Sequence, residues 1–302
     1  MKIILDMDPG IDDAVALLIA LHNPELEVLA VTTANGNVDV HSSTRNALRI
    51  IEAVGKKVPV AKGASKPLFK PFIHSREIHG RDGLGNSNLP ASRMKESRFR
   101  AINLIETLVQ THRKKEITIV ATAPLTNIAI LLEMEGTMAN TLDKIVLMGG
   151  VYGVVKNARG NTTPYAEFNF YCDPEAANIV LNSGASVIAA GLDVTMNSKC
   201  AVRENMLGKI GTLGGRAAEI AAKMLTYQVR RYGLSYIHDA FAIAAMLNPS
   251  MFKFVGCRVS VDDSGTFRGR CVTTVKKDHV KVCSHVDHNR FVNFVLEGLK
   301  QH

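Results

Sequence analysis

Leu5-Asp6-Met7-Asp8-Pro9-Gly10-Ile11-Asp12-Asp13-Ala14 joins an apolar, β-branched run to an apolar helical run through a Pro-Gly turn. Lys2–Leu5 reads as a buried strand and Asp12 to His22 as a helix. Outward from this unit the alternation recurs. Glu27–Thr33, Val58–Ala61, Ile117–Ala121, Lys144–Met148 and Ser186–Ala190 read as strands. Ser42–Val54, Arg98–Thr111, Asn127–Leu132 and Asp173–Asn182 read as helices between them. Strands that are continuously Val/Ile/Leu are buried on both faces, which is the signature of a parallel sheet flanked by helices. The order therefore predicts an α/β fold with a largely parallel, doubly wound sheet. Near the C-terminus, Arg258–Val261 and Arg270–Val275 around Asp262-Asp263-Ser264-Gly265 predict a hairpin at the sheet edge. Cys283-Ser284-His285-Val286-Asp287-His288 reads as a turn plus the cap of a last helix ending near Leu299.

Two segments interrupt the rhythm. Lys66 to Pro90 is long, Gly-rich and polar and carries His74 and His79, which marks it as a functional loop. Met206 to Tyr236 is helical in pattern but contains Gly208, Gly211, Gly214-Gly215 and Gly233. No linker or internal repeat divides the chain, so residues 1–302 are expected to form a single domain.

Bulk properties narrow the function classes. Hydrophobic residues are 46% and charged residues 21% of the 302, a globular composition that excludes a disordered or fibrous chain. Thirty-six Lys+Arg against 28 Asp+Glu leave a net charge of +8. The basic residues are scattered, and the densest groups (Lys56-Lys57, His112 to Lys115, Lys276-Lys277) are short, as in solvated turns and helix ends. With no Trp and 6% aromatics there is no base-stacking platform, so a nucleic-acid partner is not expected. The longest apolar runs, Ala14–Leu21 and Ala240–Leu247, are far short of the ~18–20 residues that cross a bilayer, so a membrane is not expected either. The N-terminus reaches Asp6 too soon for a secretory signal. Five cysteines, an odd number without a C-x-x-C pair, point to buried thiols in a reducing, cytoplasmic compartment.

Four carboxylates fall between Asp6 and Asp13, where a strand ends and a helix begins. The helix dipole accounts for Asp12 and Asp13 alone. Gathered carboxylates repel one another unless a cation joins them, and an oxygen-only set selects a hard ion such as Ca²⁺ or Mg²⁺. Other polar stretches also follow strand ends, where ligands of such sheets bind. They are Thr32–Asn37, Ala121–Asn127, Asn161–Asn169 and Ile237-His238-Asp239. Asn37, Asn161, Glu167 and Asn169 together suit a poly-hydroxyl ligand beside a metal.

Asp-x-Asp-Pro-Gly-x-Asp-Asp-Ala, with Gly36-Asn37, Ile78-His79-Gly80, Ala121–Ala129, Asn161–Asn169 and His238-Asp239, resembles the inosine-uridine-preferring nucleoside hydrolases. The resemblance runs over almost the whole chain. It implies hydrolysis of the N-glycosidic bond of ribonucleosides to ribose and free base, an activity of nucleoside salvage. It also implies a bound Ca²⁺ and a homo-oligomer, a tetramer or a dimer. Side chains of Asp8, Asp13 and Asp239 and the main-chain carbonyl of Thr122 would ligate the ion. Asp8 would be the general base. Asp12 and Asn37 would meet the 2′- and 3′-hydroxyls, and Asn161, Glu167 and Asn169 the rest of the ribose. His238 would be the acid for the leaving base, with His79 in the loop above it. The absence of Trp leans towards a pyrimidine-preferring or broad enzyme, and Tyr227, Gln228, Arg231 and Tyr232 lie where a base contact is conceivable. Two other readings share part of the pattern. Asp6-Met7-Asp8 also imitates a Mg²⁺-dependent phosphohydrolase of the haloacid-dehalogenase type, and the same fold could serve a non-catalytic nucleoside-binding protein.

Overall fold

The computed structural model describes residues 1–276 and 278–300; Lys277, half of one short basic group, lies outside them. Nine strands form one sheet: β1 Lys2–Met7, β2 Glu27–Thr33, β3 Val60–Lys62, β4 Ile117–Ala121, β5 Lys144–Met148, β6 Val187–Ala190, β7 Phe252–Val261, β8 Cys271–Val275 and β9 Val280–Val286. Their order is β3-β2-β1-β4-β5-β6-β9-β7-β8. Pairing is parallel from β3 through β9 and antiparallel for β9–β7 and β7–β8. The chain winds outward from β1 to β3, then returns to β4 on the other side of β1. The carboxyl ends of β1 and β4 thus part at the switch point, where a crevice opens.

The first half carries α1 Ile11–His22, α2 Val40–Ala53, α3 Arg76–His79, α4 Ala101–Thr111, α5 Thr126–Met134 and α6 Met138–Thr141. The second carries α7 Phe168–Cys172, α8 Pro174–Leu181, α9 Leu192–Thr195, α10 Glu204–Thr212, α11 Arg216–Tyr232, α12 Ala240–Leu247 and α13 His288–Leu299. Every residue of α1 from Ile11 to Leu21 is buried, because α2, α11, α12 and α13 all pack around it. That is why its sequence is apolar all round rather than on one stripe. Two apolar cores lie on the two faces of the sheet, one built on α1 and α12, the other on α5 and α8.

Three expectations from sequence need correction. Cys283–Val286 is not a turn but the end of β9, which pairs Val282 with Ala189 on one side and with Val255 on the other. Asp287 does cap the last helix, accepting from the amides of Asn289 and Arg290. The terminal hairpin is at the edge, but β7 begins at Phe252 and β9 lies between the hairpin and β6. Residues 206–236 are two helices, broken where Gly214 and Gly215 adopt φ of +76° and +81°, a region that favours glycine. Among the described residues no helix is long and apolar enough to cross a membrane.

Candidate active site

Asp8, just past the carboxyl end of β1, and Asp13, in the first turn of α1, are both fully buried. Asp12, Asn37, His79, Thr122, Asn161, Glu167, Asn169, His238 and Asp239 line one cavity of about 560 Å³ against them. The β1–α1 turn is closed by its own acids. Asp13 Oδ2 accepts from Gly10 N (3.1 Å) and Asn37 Nδ2 (3.0 Å), and its Oδ1 accepts from Thr122 Oγ1 (2.8 Å). Asp8 Oδ2 accepts from Asn37 N (2.5 Å), while its Oδ1 is buried without a partner. The β2–α2 loop approaches this turn so closely that a Cβ on Gly36 would overlap the Asp8 carboxylate. Asp239 occupies the N-cap position of α12, but its side chain makes no capping hydrogen bond among the described residues. One oxygen from each of Asp12, Asp13 and Asp239 lies within 4.8 Å of the others.

These carboxyls hold a proton far more readily than ordinary ones. Burial first, then the Asp13 and Asp12 carboxylates, push Asp8 well up. Burial and Asp13 raise Asp12 to about 8. Burial raises Asp13, and burial with Asp12, Asp13 and Asp8 raises Asp239 well above its usual value. The basic group nearest by ion-pair distance is His79, whose Nδ1 is 3.8 Å from Asp12 Oδ1. It gives no compensation, because Nδ1 accepts the Ile11 amide proton (3.1 Å) and is therefore a lone pair. Among the described residues these buried like charges have no counter-charge, and with Asp8 Oδ1 and Asp12 Oδ1 both unpartnered they form an oxygen-only donor set that fits a hard divalent cation.

Asp6 does not join this set. Its Oδ1 accepts from Thr32 Oγ1 (2.6 Å) and Asn127 Nδ2 (2.8 Å), tying the ends of β1 and β2 to α5. Burial raises it to about 6. The four acids thus divide into one fastener, Asp6, and three others: Asp12 and Asp13 converge with Asp239, Asp12 and Asp239 line the cavity, and Asp8 stands outside that converging trio.

The remaining polar residues are arranged around them. Asn169 Nδ2 donates to Thr122 O (2.7 Å) and Met148 O (3.2 Å). Glu167 caps α7: Oε1 accepts from Asn169 N and Oε2 from Gly150 N and Phe170 N. Asn161, exposed at the rim, accepts from Phe168 N (2.9 Å). Asn37 Oδ1 accepts from Ser75 Oγ (2.8 Å), which fastens the loop before α3. On its other side α3 is held by α11, since Gln228 Nε2 donates to Ile78 O (3.3 Å) and Tyr232 OH to Glu77 O (2.9 Å). Gln228 and Tyr232 line the cavity; Tyr227 and Arg231 do not.

Two imidazoles face the same space. Burial and the neighbouring His238 lower His79 to about 3, so its ring is neutral with the proton on Nε2. Burial lowers His238 to about 4; its Nδ1 is 2.8 Å from Thr195 Oγ1, and the Tyr236 ring stacks on it at 5.5 Å. Ser75 and Thr195 were invisible in the sequence, because a single hydroxyl outside a pattern carries no signal.

A profile of the inosine-uridine preferring nucleoside hydrolases matches residues 3–293. The chain belongs to that family. It is 37% identical to the pyrimidine-specific ribonucleoside hydrolase RihA of Shewanella sp. (strain MR-7) over 313 aligned positions, covering 98% of this chain and 95% of the relative. Among solved structures, the purine-preferring ribonucleoside hydrolase from Gardnerella vaginalis superposes with a TM-score of 0.92 at 32% identity, over 99% and 98% of the two chains. The plant nucleoside hydrolase PpNRh1 gives 0.90 at 32% identity over the same shares. This nucleoside hydrolase is thus an enzyme acting on ribonucleosides, which sets aside both the phosphohydrolase and the non-catalytic binding readings.

Proposed function

We propose that the cavity takes a ribonucleoside with its ribose against Asp12, Asn37, Asn161, Glu167 and Asn169 and its base under α3, and that Ca²⁺ is the resident ion. Asp8, Asp13 and Asp239 would hold the ion through side chains and Thr122 through its carbonyl, whose second lone pair is left free by Asn169. The observation that carries this reading is the convergence of Asp12, Asp13 and Asp239 at one wall of a cavity that also holds two neutral histidines. When bound, the ion supplies positive charge that offsets the carboxylates, orients the ribose hydroxyls and makes a water easier to deprotonate. Asp8 accepts the water's proton on Oδ1, while the Asn37 amide steadies Oδ2. Breakage of the N-glycosidic bond places positive charge on the ribose, which the carboxylate-rich wall favours, and the water oxygen that loses its proton to Asp8 bonds to the anomeric carbon. The base departs with negative charge, and the Nε2–H groups of His238 and His79 donate to it.

Base preference follows as pyrimidine-leaning or broad. Similarity to a pyrimidine-specific relative and the lack of Trp for purine stacking support this. Ribose release from uridine, cytidine, inosine and adenosine, compared by kcat/KM, tests it; activity confined to purine nucleosides overturns the preference, and no ribose from any overturns the site. The role is read as nucleoside salvage, and a reducing, cytoplasmic setting is supported by five unbridged cysteines, four of them buried. Assembly into a tetramer or dimer belongs to the same reading, and sedimentation measures it.

Removal of the ion has an expected pH signature. Without it the folded carboxyls titrate above the unfolded value of 3.8, with Asp12 near 8. Between those pH values the folded state binds more protons than the unfolded one, so stability falls as pH rises. In chelator, the melting temperature should be higher at pH 5 than at pH 8, and added Ca²⁺ should raise it more at pH 8. Scanning fluorimetry at the two pH values checks this; identical melting curves with and without chelator count against a resident ion.

A further inference from the structure

Thr195 closes the short helix α9, just beyond the carboxyl end of β6, and is 1% exposed. Its backbone amide is taken up by Gly191 O (3.1 Å). Its hydroxyl is 2.8 Å from His238 Nδ1, and the described residues give that hydroxyl no other hydrogen-bond partner. The neighbouring Asp193 fixes α9 in place by accepting from Tyr152 N (2.7 Å) and Val155 N (3.1 Å). From the other side the Tyr236 ring lies against the imidazole with 27° between planes. The His238 ring is therefore gripped by one hydroxyl at Nδ1 and one aromatic face, which leaves Nε2 as the nitrogen available to a ligand.

We propose that Thr195 is a positioning residue for glycosidic cleavage: by donating its hydroxyl proton to Nδ1, it holds His238 as the Nε2–H tautomer that faces the leaving base. This rests on the reading of His238 as donor to the base. The direction of the bond follows from the partners. If Nδ1 carried the proton, the Thr195 hydrogen would have nowhere to go among the described residues, and a buried donor would be stranded. With the hydroxyl donating, both groups are satisfied. His79 reaches the same state by a different route, since the Ile11 amide can only donate to its Nδ1. Two separate elements, α9 and the start of α1, thus impose one tautomer on two rings in the cavity.

The test uses the whole enzyme with T195V and T195S, measured on uridine and on p-nitrophenyl riboside, whose leaving group needs no hydrogen-bond donor. Valine keeps the shape and removes the proton; serine keeps the proton. T195V should lower kcat on uridine by about ten- to a hundredfold, by analogy with the loss of an outer hydrogen-bond partner from a metal-ligating histidine. Its KM and its rate on p-nitrophenyl riboside should change far less, and T195S should restore uridine turnover. The ¹⁵N shifts of the His238 ring should report protonated Nε2 in the parent and T195S and a mixture in T195V. Equal losses on both substrates, or an unchanged uridine rate with an unchanged tautomer, overturn the proposal. H238A separates this from the underlying reading: if H238A slows both substrates equally the donor role itself fails, whereas a uridine-specific loss in H238A with none in T195V removes Thr195 alone.

Discussion

Replacement of Asp8 by Asn should reduce kcat on uridine by about a thousandfold or more, the upper range for removing a positioned general base. The isostere keeps the volume of a fully buried side chain beside Gly36 and can still accept the Asn37 amide. What it loses is the charge and the proton-accepting capacity of Oδ1, the oxygen left without a protein partner. The cost is also expected in ion binding, because Asp8 is one of the proposed ligands. Folding should improve slightly in chelator, since one of the mutually repelling carboxyls is gone. Steady-state ribose release and calcium titration by calorimetry measure both effects. Retention of turnover within tenfold of the parent would remove Asp8 from the role of base.

His238→Ala carries the second large effect, and it is a selective one. Uridine turnover should fall by about a hundred- to a thousandfold, while p-nitrophenyl riboside, whose leaving group is already a stable anion, should fall far less. Because burial holds the ring neutral down to about 4, the donor at neutral pH is the Nε2–H of imidazole and not an imidazolium. The parent's uridine rate should accordingly lack the decline between pH 6 and 7 that an imidazolium acid of ordinary pKa would impose. A falling limb centred there would mean that the working form is the protonated ring.

Local pattern and global pairing contributed differently to what could be read in advance. The β1–α1 unit was legible because its apolar runs are continuous, which only two-sided burial explains. The same argument found β2, β4, β5 and β6. β9 escaped it: Val280-Lys281-Val282-Cys283-Ser284-His285-Val286 mixes polar and apolar residues, and its strand character comes from neighbours on both sides, β6 and β7, distant in sequence. Local density misled in the opposite sense at Asp6. It counts with the other acids by spacing, yet it faces Thr32 and Asn127 and works as a tie. Asp239 is legible by residue type only as the opening of the 240–247 helix; its place among the ion's ligands comes from the family resemblance and not from spacing. Thr195 and Ser75 had no signal at all. Their roles depend on which nitrogen or carbonyl lies opposite, and only the folded chain decides that.

The position of β9 governs when the enzyme can come into being. Seven strands precede the β7–β8 turn in synthesis, yet β7 has no bed on the sheet until residues 280–286 have left the ribosome and slotted in beside β6. Such non-local closure is slow. α12, which presents Asp239 to Asp13, leads into β7 through a short 3-10 turn at Pro249–Met251 and shares its packing with α13. Until residues 280–299 have docked, the chain would carry a half-built acidic wall and an unzipped sheet flank, so catalytic competence waits on β9 and α13.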